Sequence, residues 1–234
     1  MTAPGSDRAK PVFVTGGTGY IGRALTRVLI ERGYDVYALV RRESEAKLPS
    51  QARRVLGDAL NASTFAHLIP AGATLVHLVG TPHPSPTKAA EFDRVDLASI
   101  RASTDAARHA RVSHLIYVSV AHPAPVMQAY IAVRVQGEAL VSASGIPGTI
   151  FRPWYVLGPG HRWPVALLPF YAIFRWLPTT RASALRLGLV SHRAMVGALV
   201  RAIATPPREG IRIVEVPDIR RLSAEANARA GQVQ

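Results

Sequence analysis

The chain has no cysteine, which excludes disulfides and every thiolate metal site. Histidine could still ligate a metal, but the eight histidines, at 67, 77, 83, 109, 114, 122, 161 and 192, show no ligand pairing at short helical or turn spacing. No metal site is expected. No apolar run reaches the roughly 18 residues that a membrane-spanning helix needs. The start, M-T-A-P-G-S-D-R-A-K, lacks the apolar region of a secretory signal. A cytoplasmic location is therefore the expectation.

Lysine is scarce too, since 25 of the 28 cations are arginine, and 15 acidic residues leave a net charge of +13. Residues 1–160 hold 17 cations and 11 anions, and residues 161–234 hold 11 and 4, so the last third is the basic end. Such a balance suits anionic ligands, nucleic acid or a membrane surface. Without a lysine-rich tract or a basic motif interleaved with aromatics, nucleic-acid binding is not expected.

What the chain does have is 234 residues with 48% hydrophobic content, enough to bury the core of one domain. From residue 11, short β-branched runs alternate with longer amphipathic stretches, the rhythm of a parallel α/β sheet. Strands are predicted at 11–15, 35–40, 53–56, 74–79, 114–119 and 148–151, with helices at 19–32, 61–69, 88–110 and 126–144. Strand runs this apolar fit a sheet covered on both faces. The fold class is thus a Rossmann-type, doubly wound parallel sheet with a small C-terminal cap. Residues 1–10 read as a flexible start, 11–160 as the Rossmann core, 161–222 as a small cap completing the same domain, and 223–234 as a flexible tail. Within the cap, a helix is expected at 191–203 and a strand at 211–216.

Residues 15 to 22 read T-G-G-T-G-Y-I-G, between the first strand and the first helix. In that context Gly16 permits a tight turn, Gly19 lets the backbone approach a pyrophosphate, and Gly22 lets the helix pack close to the sheet. The helix N-terminus attracts the phosphates. At the end of the second strand Arg41 and Arg42 favour a ribose 2′-phosphate, hence NADP(H) over NAD(H), while Glu43 keeps the alternative open.

Several motifs in order carry a family likeness: the glycine turn, Gly57-Asp58 after the third strand, H-L-V-G after the fourth, Y-V-S-V at 117–120, the helix with Tyr130, and R-P-W-Y-V-L-G-P-G at 152–160. Over residues 11–216 the chain resembles the atypical and extended short-chain dehydrogenase/reductases, the NAD(P)-dependent epimerase/dehydratase-like proteins. Residues 151–216 also resemble the complex I accessory-subunit-like branch, whose members bind NADPH and need not turn it over. The resemblance implies that Gly16, Gly17, Thr18, Gly19, Tyr20, Ile21 and Gly22 hold the cofactor and that Asp58 contacts the adenine. It also implies that Gly80 and Thr81 line the nicotinamide side, and that the loop after Arg152 and Pro153 borders nicotinamide and substrate. The cap would close over a small-molecule substrate. The basic, apolar region 161–193 could alternatively meet a membrane surface or a protein partner.

The family's catalytic set is Ser, Tyr, a Lys four residues on, and a supporting Asn. Ser119 and Tyr130 match, but Arg134 replaces the lysine and Asp96 stands in place of the asparagine. Lowering a phenol from near 10 to about 7 needs about 4 kcal/mol. A unit charge about 4 Å away at an effective dielectric near 20 supplies on the order of 4 kcal/mol. Arginine is always charged, yet its planar guanidinium is bulkier than an ammonium and hardly deprotonates. Asp96 would oppose the depression or pair with Arg134. Two functions stay open: an oxidoreductase or epimerase-like enzyme in which Ser119 orients the substrate and Tyr130 moves the proton, or a catalytically silent NADPH-binding module for assembly or redox sensing.

Overall fold

The computed structural model describes residues 10–158 and 188–230. Its strands are β1 (Pro11–Thr15), β2 (Asp35–Val40), β3 (Arg53–Leu56), β4 (Thr74–His77), β5 (His114–Val118), β6 (Gly148–Arg152), β7 (Tyr155–Leu157), β8 (Leu189–Ser191) and β9 (Ile211–Glu215). The α-helices are α1 (Tyr20–Glu31), α2 (Ala89–Glu91), α3 (Ala98–His109), α4 (Gln128–Ala143), α5 (His192–Ala204) and α6 (Val216–Ala230). Seven strands form one parallel sheet in the order β3-β2-β1-β4-β5-β6-β9, and β7 pairs with β8 in a small parallel ribbon. The order reverses between β1 and β4, where open sheets of this kind bind ligands.

Period-two alternation explains why both faces are covered. Val12 and Val14 of β1 point into a core shared with Leu25 and Leu29 of α1 and with Leu199 of α5. Phe13 between them points to the opposite core with Leu75, Ile100, Leu115 and Val141. Each such side chain taken fully out of water contributes roughly 1.5–3 kcal/mol. A sheet loaded on both faces needs two helical layers. The chain supplies α1, α5 and α6 on one side and α3 and α4 on the other.

Local chemistry accounts for the departures from expectation. Residues 61–69 form two short 3₁₀ turns, Ala62–Thr64 and Ala66–Leu68, instead of one helix. Asn61 caps the Ser63 amide, and the Thr64 hydroxyl donates to the Asn61 carbonyl at 2.8 Å, a side-chain competition that breaks up so short a segment. The helix expected over 88–110 is interrupted by a π-helical stretch, Phe92–Leu97, whose wider turn buries both Phe92 and Asp96. Residues 223–230, expected as part of a loose tail, continue α6, with Ser223 and Ala226 buried. The close approach of Ser223 to Gly197 explains the packing, since a Cβ at 197 would lie 2.9 Å from the Ser223 hydroxyl. Of the segment expected as a cap, residues 188–222 complete the domain: β9 extends the main sheet and α5 packs on α1. The rest of that segment, including His161 and the apolar stretch 163–178, lies outside the described residues, as does most of the N-terminal segment 1–10. No helix among the described residues is long and apolar enough to cross a membrane.

Two buried histidines tie strands to their neighbours. His77, at the end of β4, bonds through Nδ1 to Thr15 Oγ1 at 3.0 Å and to Ser103 Oγ at 2.9 Å. His114 Nε2 lies 2.9 Å from Thr149 Oγ1. Burial, and secondarily the charge of Arg134, pushes His77 down to about 3; burial and then Arg212 push His114 down to about 4. Both rings are neutral in the fold and protonate near pH 6.5 once unfolded, so the unfolded state binds more protons in that window. Stability should therefore fall as the pH drops from about 6.5 toward 4, each histidine lowering the folding constant by up to about tenfold per pH unit. Urea unfolding followed by circular dichroism between pH 7 and 4.5 measures this. His77→Gln should flatten part of the slope, and an identical slope in that variant would refute the assignment.

Candidate active site

The turn after β1 has the shape that its glycines allow. Gly16 has φ of +74°, and a Cβ there would sit 2.8 Å from the Leu78 carbonyl carbon. A Cβ on Gly22 would overlap the Gly16 carbonyl oxygen and lie 2.8 Å from the Gly17 Cα. The Gly19 amide donates to Gly16 O at 3.0 Å, closing the turn. Gly19 is the N-cap of α1 and supplies no side-chain cap, and the first turn of α1 has no acidic residue. Its leading amides and the positive end of the helix dipole are therefore left for an external anion. These features fit the pyrophosphate of a dinucleotide, with Gly17, Thr18, Tyr20 and Ile21 completing the turn.

Around this turn lie the other residues singled out from the sequence. Arg41 and Arg42 sit directly beyond β2, both exposed; Arg41 Nε lies 3.2 Å from Glu43 Oε1 in a solvated pair. Asp58 follows β3, is exposed, and accepts a hydrogen bond from the Leu60 amide at 2.9 Å. Gly80 and Thr81 follow β4. All of them stand beyond strand C-termini, at the edge of the sheet where the glycine turn opens.

The replacement of lysine by Arg134 is built into the neighbouring backbone. Arg134 Nη2 donates to Asp96 Oδ1 at 2.5 Å, and Arg134 is 5% exposed while Asp96 is wholly buried. Nη1 donates to the Val118 carbonyl at 3.1 Å. Asp96 Oδ2 accepts from the Thr81 amide at 3.0 Å and from its hydroxyl at 2.6 Å. A Cβ on Gly80 would overlap the guanidinium, so the glycine after β4 makes room for this side chain. Thus α4, the π-helical stretch and the loop after β4 meet on one ion pair. Burial disfavours the charge on Arg134, but Tyr130, Tyr117 and Asp96 together outweigh it and hold the guanidinium firmly protonated.

Tyr130 is oriented by rings and charge. The guanidinium carbon of Arg134 lies 5.0 Å from the Tyr130 ring centroid, and Phe92 meets the same ring edge-on at 5.0 Å. On balance the Tyr130 phenol is not lowered, although Arg134 pulls it that way. Burial raises it, and Asp96 adds to that, against the opposing pull of Arg134. The neighbouring Tyr117 is pushed up to about 12 by burial. Both phenols are therefore protonated at neutral pH. Ser119, two residues beyond Tyr117, has a buried hydroxyl with no hydrogen-bond partner among the described residues.

A second network escaped sequence reasoning. Glu138, one turn beyond Arg134 on α4, is buried and accepts from Arg152 Nε at 3.0 Å and Nη2 at 2.5 Å. His122 Nε2 lies 3.3 Å from the same carboxylate. The Arg152 side chain, expected near the cofactor, is thus committed to Glu138, while Pro153 O accepts from the Ala121 amide at 2.9 Å and anchors the loop after β5. The only sequence signal was a single glutamate on an otherwise uncharged stretch of helix after Arg134. His83 is exposed in the loop after β4 and His122 serves this network.

A family model described as NAD(P)H-binding matches residues 16–162. The chain is 28% identical over 218 residues to a ceramide reductase of Caulobacter vibrioides, covering 92% of this chain and 67% of that protein. It is 31% identical over 168 residues to a 4-hydroxy-2-methyl-3-oxo-4-farnesyl-3,4-dihydroquinoline-1-oxide ketoreductase of Stigmatella aurantiaca, covering 62% of this chain and 50% of that one. With the photosystem II assembly factor Ycf39 of Cyanophora paradoxa it shares 29% over 144 residues, 60% of this chain and 44% of the relative. The chain spans about two thirds of the length of the first relative and half or less of the other two. Among solved structures, the enzyme WbmH of Bordetella bronchiseptica in complex with NAD+ superposes with a TM-score of 0.66 at 21% identity, covering 95% of this chain and 82% of that one. A glycine turn shaped for a pyrophosphate, in a seven-stranded parallel sheet of this order, thus coincides with the matched region, and the chain belongs to the NAD(P)H-binding family, with the fold of the short-chain dehydrogenase/reductases.

Proposed function

We propose that the protein is an NADP(H)-dependent oxidoreductase that reduces a carbonyl substrate, with Tyr130 as the proton donor. The observation that carries this reading is the buried, unpartnered hydroxyl of Ser119 at the end of β5. Leaving such a group unsatisfied costs about 1–3 kcal/mol. A substrate carbonyl oxygen accepting from it would remove that cost and be oriented by it. Tyr130, protonated at neutral pH, then donates its phenolic proton to the developing alkoxide. When bound, the reduced nicotinamide supplies the hydride. The turn from Gly16 to Gly22 holds the pyrophosphate, Asp58 the adenine, and Gly80 and Thr81 the nicotinamide side. Arg41 and Arg42, directly beyond the second strand, support a 2′-phosphate and hence NADP(H). Two relatives named as reductases over 60% or more of this chain support the direction of transfer.

Arg134 acts in this reading as a brace. Its Nη donors are engaged by Asp96 and Val118, so it fixes Tyr130 through the face of the ring and the Gly80 loop through Asp96. The same engagement favours the second reading, a silent NADPH-binding module, because it removes a cation from proton traffic; a relative named as an assembly factor is in keeping with it.

Three measurements decide among these points. Tyr130→Phe should lower kcat for carbonyl reduction by roughly 10²–10⁴-fold with little change in NADPH affinity. If the wild type shows no turnover across a broad carbonyl panel while retaining NADPH, the silent module is the function. Arg134→Met should destabilise the protein by about 3–5 kcal/mol in urea, because Asp96 loses its counter-charge, and adding Asp96→Asn should recover part of that loss. Unaltered stability in Arg134→Met would exclude the brace. Finally, Arg41→Ala with Arg42→Ala should weaken NADPH by about tenfold or more and leave NADH nearly unchanged. Equal weakening of both would remove the NADP(H) assignment.

A further inference from the structure

We infer that His192 is a positioning residue for the dinucleotide pyrophosphate, acting through the peptide between Tyr20 and Ile21. His192 Nε2 lies 2.9 Å from the Tyr20 carbonyl oxygen. A carbonyl only accepts, so Nε2 is the donor and carries the proton. Tyr20 is the first residue of α1, directly after the Gly19 N-cap. The peptide that joins Tyr20 to Ile21 is planar and trans, so an imidazole holding its carbonyl on one side also fixes the Ile21 amide on the other. That amide belongs to the first turn of α1, whose N–H groups have no partner inside the helix. Hydrogen bonding at the carbonyl also polarises the peptide and strengthens its N–H as a donor.

The imidazole is held well enough to do this. It is the first residue of α5, whose N-cap Ser191 accepts from the Ala194 amide at 3.1 Å. α5 packs on α1 through the shared core. The His192 and Tyr20 rings meet at 4.4 Å between centroids, tilted by 51°. Gly158, directly after β7, completes the contact: a Cβ there would overlap the Tyr20 hydroxyl and lie 2.9 Å from the His192 Cβ. Three segments distant in sequence therefore converge on the residue that opens the phosphate helix, with the histidine as the one that reaches its backbone. This inference rests on dinucleotide binding and is independent of turnover and of the choice between NADP(H) and NAD(H).

The test uses ADP-ribose, which keeps the pyrophosphate but lacks nicotinamide and 2′-phosphate, and adenosine, which lacks phosphate altogether. Calorimetry reads the first and ligand-observed NMR the second. His192→Ala should weaken ADP-ribose by about tenfold and leave adenosine within about twofold, the expected loss for one hydrogen bond acting on the phosphate site. His192→Asn, whose amide stops short of the carbonyl but keeps a polar residue at the helix start, should lose as much. His192→Gln, long enough to donate, should recover affinity to within about threefold of wild type. Unchanged ADP-ribose binding in the Ala and Asn variants, equal weakening of adenosine, or no recovery with Gln would each overturn the assignment.

Discussion

A guanidinium taken out of water keeps its proton, so the space around Arg134 must contain a counter-charge and acceptors. That single requirement organises the side of the molecule that carries Tyr130. Asp96 supplies the charge from 38 residues away in sequence, and the π-helical stretch turns its carboxylate inward. Gly80 supplies room, because any side chain at 80 would collide with the guanidinium. Thr81 satisfies the second carboxylate oxygen with both its amide and its hydroxyl. The loop after β4 is thus locked by the same pair that fixes the face of Tyr130. Arg134 and Asp96 answer each other's charge, so removing either side chain alone would leave the other as an unanswered buried charge.

The glycine turn follows from a different constraint, close backbone approach. Gly16 and Gly22 let the turn fold onto itself and onto the strand end after β4, and the N-terminus of α1 receives no side-chain cap. α5, reached through β8, then comes to lie against α1 and brings His192 to the Tyr20 carbonyl. Residues 188–230 are therefore joined to the glycine-turn side of the domain through a contact between helices, and they extend the sheet through β9.

Much of this was legible beforehand because it depends on short-range pattern. The strands from 11–15 to 148–151 emerged from β-branched runs, and their observed limits differ by a residue or two at the ends. The glycine turn was legible because its chemistry is contiguous. Helix 61–69 failed because Asn61 and Thr64 offered the backbone hydrogen bonds that a helix would have used. The tail expected at 223–230 is helical instead, because a polar stretch carries no sign that Ser223 will meet α5 across a gap left by Gly197.

The site divides along the same line. By itself the sequence determined the parallel α/β class, the glycine turn from Gly16 to Gly22, and the four positions, Ser119, Tyr130, Arg134 and Asp96, at which the chain meets or departs from the pattern of the family it resembles, since each depends on local spacing or on residue type. The tertiary structure alone decided what those residues do to one another. Whether Arg134 lowers the phenol of Tyr130 or answers Asp96 depends on distances of a few ångströms and on burial. In the folded chain the carboxylate takes the guanidinium, and desolvation raises the phenol. The Glu138 network and the reach of His192 to the first residue of α1 belong to the same class. They join side chains whose meeting is set by how helices pack on a sheet, which no local pattern encodes.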